Sequence, residues 1–239
     1  MQQSLQNQVA LITGGGRGIG AATAEALARK GAQVIVASRT ESELIATVAA
    51  LHQVGLKASL IVLDVADEAA VAAAFSRITE EWGRLDILVN NAALLFSGPF
   101  AEMAMSDWDR LLAVNLRGAV LCARQAFRLM HERGGSMVNV SSLGGVSGTD
   151  KFPGYAAYTV SKFAVTGLTE ALAAEGRDRN IRVNGVAPGA VDTLMLHQAA
   201  PHLRTRTGPA DVAKVIAFLC DPAESGCMTG AMLVINSNA

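Results

Sequence analysis

The residues best suited to chemistry lie in one pentapeptide, Tyr158-Thr159-Val160-Ser161-Lys162. A tyrosine and a lysine four positions apart share one face of a helix, about one turn from each other. A phenol is a poor proton donor near neutrality because its pKa is about 10. A nearby ammonium group stabilises the phenolate and lowers that pKa, so the pair has the chemistry of a general acid. The alternative is a surface lysine beside a packed tyrosine, and the rest of the chain must decide.

A glycine-rich stretch near the start is the second feature with chemical meaning. It reads Thr13-Gly14-Gly15-Gly16-Arg17-Gly18-Ile19-Gly20 and precedes the helical stretch Ala21–Arg29. Glycines there permit a tight turn and a close approach of backbone to a pyrophosphate, and the next helix N-terminus attracts phosphate. The alternative is a glycine-rich turn without a ligand. We expect a dinucleotide site whose loop residues are Gly14, Gly16, Arg17, Gly18, Ile19 and Gly20.

The residues after the second apolar run indicate which dinucleotide would bind. NAD sites usually carry Asp or Glu there, about twenty residues beyond the glycines, to hold the ribose hydroxyls. This chain has Ser38 and Arg39 instead, so no carboxylate is expected to repel a 2′-phosphate. Arg39 could bind that phosphate through charge-assisted hydrogen bonds, with Arg17 as a second cation. The sequence therefore favours NADP(H), although both arginines could instead be solvated surface residues.

Seven short apolar runs, mostly β-branched and without polar alternation, indicate strands buried on both faces. About six Ala-rich stretches with helical spacing lie between them. This alternation predicts an α/β fold with a doubly wound, seven-stranded parallel sheet flanked by helices. Without a linker or repeat, we expect a single domain over 1–239, its glycine-rich half about 1–90 and its catalytic and substrate half about 91–239. The runs are Val9–Ile12, Val34–Ala37, Leu60–Leu63, Ile87–Val89, Met137–Val140, Ile181–Val186 and Met232–Ile235.

Two of the helix starts carry capping signals. Thr40 and Glu43 fit a capping box, and Ser106 to Asp109 resembles one with Asp in place of Glu. The stretch from Asp107 to His131 is long enough for a helix of several turns.

Composition argues against several classes of function. Apolar stretches are short, and residues 1–8 have neither a cationic end nor an apolar core, so we expect no membrane span or signal peptide. A net charge of −1 without a dense basic run argues against a nucleic-acid partner. Cys122, Cys220 and Cys227 are scattered, which is typical of buried residues in a reducing cytoplasm, where we place the protein. The four histidines form no ligand cluster, so no metal is expected.

In their order, these motifs resemble the short-chain dehydrogenase/reductase family over nearly the whole chain, and the glycines have its TGxxxGxG spacing. The chain looks most like the carbonyl reductase and 3-oxoacyl-(acyl carrier protein) reductase branch. The resemblance implies a Rossmann fold and cofactor contacts at the carboxyl ends of strands. A helix-terminal carboxylate is an equally good interpretation of Asp64. The implied cofactor residues are Asp64, Val65, Asn91, Ala92, Pro188, Gly189, Val191 and Thr193, together with Tyr158 and Lys162 at the nicotinamide ribose.

The resemblance also implies a catalytic group of Asn115, Ser142, Tyr158 and Lys162. Ser142 would donate to a substrate carbonyl oxygen, Tyr158 would give up a proton, and Lys162 would stabilise the phenolate. Asn115 would hold a water that links Lys162 to solvent, although a buried asparagine could equally be a satisfied core amide. The expected reaction is NADPH-dependent reduction of a ketone to a secondary alcohol. An oxidative alcohol dehydrogenase and, less favoured, a non-catalytic dinucleotide sensor or scaffold are the alternatives.

The substrate side departs from the family pattern. About three extra residues separate Ser142 from Tyr158, within Val146–Tyr155, and the segment 194–207 is short for a lid. The pocket candidates are apolar or aromatic, which suits a hydrophobic ketone, and core packing is the alternative for each. Besides Ser142 they are Leu94, Leu95, Phe96, Val146, Phe152, Tyr155, Leu194 and Met195.

Partners are indicated only weakly. Arg133 and Arg179 fall where acyl-carrier-protein reductases of the family carry basic residues, so a carrier-bound acyl thioester is a candidate substrate. Solvated surface arginines are the stronger alternative. By the same resemblance, the long helices near 107–131 and 156–177 would make a homodimer or homotetramer. The end of the chain, residues 235–239, lacks the family's usual glycine pair, which leaves the details of subunit packing open.

Overall fold

The structure, a computed structural model, describes residues 3–236. Its sheet has seven parallel strands in the order β3-β2-β1-β4-β5-β6-β7. Each of the seven apolar runs forms one of these strands, so the predicted doubly wound parallel fold is confirmed. The strands are β1 (Val9–Thr13), β2 (Gln33–Ser38), β3 (Ala58–Val62), β4 (Ile87–Asn90), β5 (Gly135–Val140), β6 (Ile181–Pro188) and β7 (Met232–Ile235).

Six long helical stretches connect the strands, as the Ala-rich segments predicted. They are α1 (Gly18–Arg29), α2 (Glu41–Gln53), α3 (Glu68–Trp82), the continuous pair α4 (Met105–Leu112) and α5 (Gly118–Met130), α6 (Ala156–Gly176) and α8 (Pro209–Cys220). Two short helices, α7 (Leu194–Ala199) and α9 (Pro222–Ser225), were not expected. Within residues 3–236, no helix combines the length and the apolar character needed to cross a membrane.

The helix predicted from Asp107 to His131 is present with nearly these bounds, but its start and its middle differ from a regular α-helix. It begins at Met105, after an extended Ala104, so Ser106 lies inside the first turn and the predicted cap at Ser106 is wrong. A π-helical turn at Ala113–Arg117 separates α4 from α5. Such wide turns are frequent at functional sites, and this one contains Asn115.

The core consists of two layers because successive strand residues point to opposite faces of the sheet. On one face, Ile12 packs in a cluster with α1 and α8. On the other, Leu11 belongs to a cluster formed with α3 and α5. Cys122 and Cys220 are buried in these layers, whereas Cys227 follows α9 in an exposed turn, so the expectation of a buried Cys227 is wrong.

The strand order fixes where a ligand can bind. From β1 the chain builds outward to β2 and β3, and then returns to place β4 on the other side of β1. The two connections therefore diverge at the carboxyl ends of β1 and β4 and leave a crevice there. Open parallel sheets bind their ligands at this type of switch point.

Candidate active site

A cleft of about 1070 Å³ opens at the carboxyl ends of the strands. It brings together most of the residues predicted from the sequence to bind a cofactor. Those that line it are Gly14, Gly16, Arg17, Gly18, Ile19, Ser38, Arg39, Asp64, Val65, Asn91, Ala92, Pro188, Gly189, Val191 and Thr193. It also contains Ser142, Tyr158 and Lys162, so the candidate catalytic group and the glycine loop share one cavity.

A few predicted residues do not line this cleft. Gly20 and Asn115 are buried behind it. Phe96 and Val146, two of the candidate substrate residues, are only partly buried and are not among the lining residues. The other pocket candidates, Leu94, Leu95, Phe152, Tyr155, Leu194 and Met195, do line it.

The glycine loop is held against the end of β4 by polar contacts. The Asn91 side-chain amide donates to the carbonyl oxygens of Thr13 and Gly14, both at 3.0 Å. The Thr13 hydroxyl accepts from the backbone N–H groups of Asn91 and Ala92. A Cβ on Gly20 would lie 2.1 Å from the Gly14 carbonyl oxygen, so only glycine permits this packing.

The loop region fits a dinucleotide on two observations. Helix α1 starts at Gly18 without a side-chain cap and without an acidic residue in its first turn. Its first N–H groups and the positive end of its dipole are therefore available to bind a phosphate in the cleft. The Ser38 hydroxyl at the end of β2 is buried and has no hydrogen-bond partner. A buried polar group without a partner is costly, and a ribose hydroxyl or phosphate would satisfy it.

The predicted cations face carboxylates. Arg17 Nη1 lies 3.1 Å from Glu43 Oε1, and Arg39 Nη1 lies 4.0 Å from Asp64 Oδ2. Glu43 also lines the cleft. The end of β2 carries no carboxylate, as expected, but helix α2 brings the Glu43 carboxylate to the glycine loop, which the sequence did not indicate. Asp64 is not a helix cap, since Asp67 caps α3 with two hydrogen bonds.

The tyrosine and the lysine lie on one face of α6, as their spacing predicted. Lys162 Nζ is 5.5 Å from the centroid of the Tyr158 ring and donates to the Val140 carbonyl oxygen at 2.8 Å. Lys162 is only 3% exposed, whereas Tyr158 retains some surface in the cleft. Ser142, two residues beyond β5, lies close enough to Tyr158 to lower the pKa of its phenol, and its Oγ accepts from the Gly144 N–H at 3.1 Å. A phenol, a hydroxyl and an ammonium group therefore converge at the cleft floor.

The acidity of this group differs from the sequence expectation. Burial raises the pKa of Tyr158 to about 12, and the neighbouring Ser142 hydroxyl opposes this increase only in part. The ammonium group lies over the ring rather than at the hydroxyl, which explains why the expected lowering is not seen. Burial also lowers the pKa of Lys162 to about 8. Tyr158 therefore keeps its proton across the physiological range.

Asn115 joins three parts of the site. Its Oδ1 accepts from Leu94 N–H at 2.7 Å, and its Nδ2 donates to the Leu94 carbonyl oxygen and to Ser161 Oγ. Ser161 in turn donates to the Tyr158 carbonyl oxygen. The side chain is thus a satisfied buried amide that holds the loop after β4 against α6. Any water at this residue would have to use the backbone carbonyl or the second lone pair of Oδ1.

The loop before α6 is tied to both of its neighbours across the cleft. Tyr155 donates its hydroxyl to the Ala199 carbonyl oxygen at 2.8 Å, at the end of the short helix α7. Gly154 accepts from Gly98 N–H on the loop after β4. Phe152 packs edge-on against Tyr155. These contacts close the substrate side of the cleft with a mostly apolar wall.

Replacing Tyr155 with phenylalanine is expected to raise KM for the substrate about fivefold. The reason is that the partly buried hydrogen bond from the Tyr155 hydroxyl to Ala199 contributes about 1 kcal/mol to holding α7 in place. The ring and its packing on Phe152 are kept. Steady-state kinetics with a ketone substrate measure the change, and the Kd for the dinucleotide serves as the control. An unchanged KM would show that the contact with Ala199 does not position the wall.

Sequence reasoning missed several lining residues. Glu43 was assigned to a capping box, which does not form, because its carboxylate pairs with Arg17. Leu143, Thr149 and Lys151 lie in the long loop after β5, where no periodicity indicates direction. Thr193, expected to contact a nicotinamide, uses its hydroxyl to cap α7. Residues 237–239, on which the subunit-packing argument rested, lie outside the described residues.

Comparison with known proteins gives consistent results. The sequence profile of a family described as short chain dehydrogenase matches residues 8–204. The chain is 36% identical to the 3-oxoacyl-(acyl-carrier-protein) reductase of Thermotoga maritima, with 97% of each protein covered. It is 37% identical to a 3beta-hydroxysteroid dehydrogenase of Mediterraneibacter gnavus, over 91% of this chain and 76% of the relative. A solved short-chain type dehydrogenase/reductase from Mycobacterium marinum superposes with a TM-score of 0.92 and 32% identity, over 97% and 95% of the two chains.

Proposed function

The chain belongs to the short-chain dehydrogenase family, and from that premise we propose that it reduces a hydrophobic ketone to a secondary alcohol with NADPH and with Tyr158 as the general acid. The observation that carries the proposal is the convergence of Tyr158, Ser142 and Lys162 at the floor of the cleft that also contains the glycine loop. The family is one of oxidoreductases that act on carbonyl and alcohol groups with a nicotinamide dinucleotide.

The mechanism assigns one task to each side chain. The glycine loop and the carboxyl ends of the strands would hold a reduced nicotinamide dinucleotide, which would supply the hydride for the carbonyl carbon. Ser142 and Tyr158 donate hydrogen bonds to the carbonyl oxygen, where negative charge develops. Tyr158 then transfers its proton to that oxygen, which completes the alcohol. Lys162 stabilises the phenolate that is left, and Asn115 holds α6 in place through Ser161.

The protonation state of Tyr158 is the one that a proton donor in the reduction requires. A phenol with a pKa of about 12 enters the reaction as a proton donor at neutral pH. An oxidative alcohol dehydrogenase would need the same residue as a base, already without its proton.

The choice of NADP(H) is supported by Arg17 and Arg39 and by the absence of an acidic residue at Ser38. Glu43 and Asp64 act in the opposite direction, because each partly neutralises one of these cations. Two exposed guanidinium groups still offer bidentate geometry to a phosphate, because each contacts only one carboxylate. We therefore keep NADP(H) as the proposed cofactor.

The apolar wall supports a free hydrophobic ketone in preference to a carrier-bound thioester. Arg133 and Arg179 precede β5 and β6, so they lie at the amino ends of these strands. The cleft lies at the carboxyl ends, about 20 Å away for a six-residue strand. Within one subunit, a carrier protein on these arginines would not face the cleft. An acyl carrier protein is thus a weaker partner than a small molecule.

Assembly into a homodimer or homotetramer is part of the proposal. The apolar residues Val120, Val160 and Phe163 are exposed on helices α5 and α6. A shallow, mostly apolar groove also runs along the junction of α4 and α5, beside Leu112 and Leu116. Exposed apolar surface of this kind supports burial against a second copy.

The deciding experiment measures oxidation of NADPH and NADH against a panel of aryl ketones, alicyclic ketones, β-ketoesters and acetoacetyl thioesters. Faster turnover with NADPH on apolar ketones is expected. Turnover strongest on thioesters would move the proposal to the acyl-carrier role. NADH supporting equal turnover at low concentration would contradict the cofactor assignment. Ligand binding without turnover on any substrate would favour the non-catalytic sensor.

A further inference from the structure

Glu43 faces the cofactor cleft although the sequence pattern assigns it to its own helix. It is the third residue of α2, where a capping box would turn its carboxylate back to Thr40. That box is not formed. The carboxylate instead lies 3.1 Å from Arg17 Nη1, with the two side chains 32% and 55% exposed.

The first turns of α2 are fixed against the glycine loop. Thr47 Oγ1 donates to the Gly16 carbonyl oxygen at 2.9 Å. A Cβ added to Gly16 would lie 3.0 Å from Glu43 Cβ and 3.4 Å from Glu43 Oε2. The backbone of Glu43 is therefore held at the wall of the cleft, and its carboxylate cannot leave the neighbourhood of the loop without changing rotamer.

The same small space contains the unpartnered Ser38 hydroxyl. It lies 3.2 Å from the position of that Gly16 Cβ and is buried without a hydrogen bond. Ser38 ends β2, where dinucleotide sites of this fold recognise the adenosine ribose. Glu43, Arg17 and Ser38 thus surround the place where a 2′-hydroxyl and a 2′-phosphate would be told apart.

We propose that Glu43 sets the degree to which this chain prefers a 2′-phosphorylated dinucleotide over an unphosphorylated one. The proposal rests on the proposed function for the location of the dinucleotide. In the free protein the Glu43 carboxylate forms an ion pair with Arg17. A 2′-phosphate that binds Arg17 must displace this carboxylate from the guanidinium group. After replacement the carboxylate remains nearby and repels the phosphate. A ribose 2′-hydroxyl has no charge and instead gains an acceptor.

The test is the ratio of two dissociation constants in the intact chain. Glu43→Gln keeps the size of the side chain and removes its charge. We expect the Kd for NADPH to fall about fivefold at low ionic strength, on the order of one charge interaction near a surface, while the Kd for NADH stays within about twofold. Fluorescence titration measures both, so the readout does not depend on turnover.

Two further variants make the result specific. Glu41→Gln removes the same charge from the same helical turn, and Glu41 is exposed and does not line the cleft. It should leave the ratio unchanged. In an Arg17→Gln background, Glu43→Gln should lose the part of its effect that comes from competition for Arg17 and keep the part that comes from repulsion of the phosphate.

The outcomes separate this proposal from the proposed function. A wild-type chain that binds NADH more tightly than NADPH would contradict the NADP(H) assignment, whereas the role of Glu43 would still be decided by the shift in ratio. An unchanged ratio in Glu43→Gln, an equal change for both dinucleotides, or the same shift in Glu41→Gln would overturn the role of Glu43.

Discussion

Replacing Tyr158 with phenylalanine is expected to lower kcat for ketone reduction about a thousandfold while leaving the Kd for NADPH within about twofold. The substitution removes the proton and keeps the ring over which Lys162 Nζ lies at 5.5 Å. Without the proton donor, the negative charge on the carbonyl oxygen is stabilised by Ser142 alone. Single-turnover kinetics under saturating NADPH measure the chemical step, and fluorescence titration measures the binding.

The matched control is Tyr155→Phe, the same change three residues earlier on the same side of the cleft. Its expected effect falls on KM, because Tyr155 holds Ala199 and not the reacting oxygen. A thousandfold loss of kcat in Tyr158→Phe with little change of kcat in Tyr155→Phe would localise the proton transfer. Near-normal turnover in Tyr158→Phe would contradict the mechanism.

The strands could be predicted because their signal is local and strong. Runs such as Val9–Ile12 are β-branched and uniformly apolar, and every residue of β1 is buried. The errors at strand ends are one or two residues, where polar residues such as Ser38 or Asn90 continue the hydrogen-bonded ladder. The alternation predicts a parallel sheet, and right-handed connections leave few strand orders to choose from, but the sequence did not select among them.

The sequence did not predict which partners the side chains at the helix starts would contact. Glu43 has the spacing of a capping box, yet Arg17, 26 positions earlier, takes its carboxylate. Ser106 has the same kind of signal, yet the helix begins before it. Local hydrogen bonds of this type contribute about 1 kcal/mol, so a tertiary partner can replace them.

The pKa values of Tyr158 and Lys162 could not be predicted from the sequence either. Spacing places Lys162 beside Tyr158, but it does not tell how far the two are withdrawn from water. Burial is the main influence on both side chains. It raises the pKa of Tyr158 and lowers the pKa of Lys162, so the neutral form of each is favoured. Leu143, Thr149 and Lys151 of the cleft lining were missed for a related reason, since the loop before α6 is positioned by contacts such as Tyr155 with Ala199 and not by periodicity.

Replacing Lys162 with methionine is expected to stabilise the fold at pH 7 by about 2 kcal/mol while lowering kcat about a hundredfold. Lys162 is 3% exposed, and burial lowers its pKa from 10.5 to about 8. At pH 7 the folded chain therefore holds a charge that water would solvate better. The lost hydrogen bond to Val140 offsets about 1 kcal/mol of the gain.

The pH dependence distinguishes this cause from better packing alone. Between pH 8 and 10.5 the unfolded chain keeps the lysine proton that the folded chain has released. The free energy of unfolding of the wild type should therefore rise through this window from this group, and the advantage of Lys162→Met should shrink towards zero. Urea titrations of both proteins at several pH values measure the difference, in which the other titrating groups cancel.

A variant that is less stable than the wild type at pH 7 would contradict the interpretation of Lys162 as a costly buried charge. An advantage that does not change with pH would assign it to the packing of the methionine side chain. A stability gain that disappears at high pH, together with the loss of kcat, would show that the chain retains Lys162 at the expense of stability. The group that stabilises the Tyr158 phenolate would then be the same group that burial disfavours, which is the arrangement expected where function, not packing, has selected a residue.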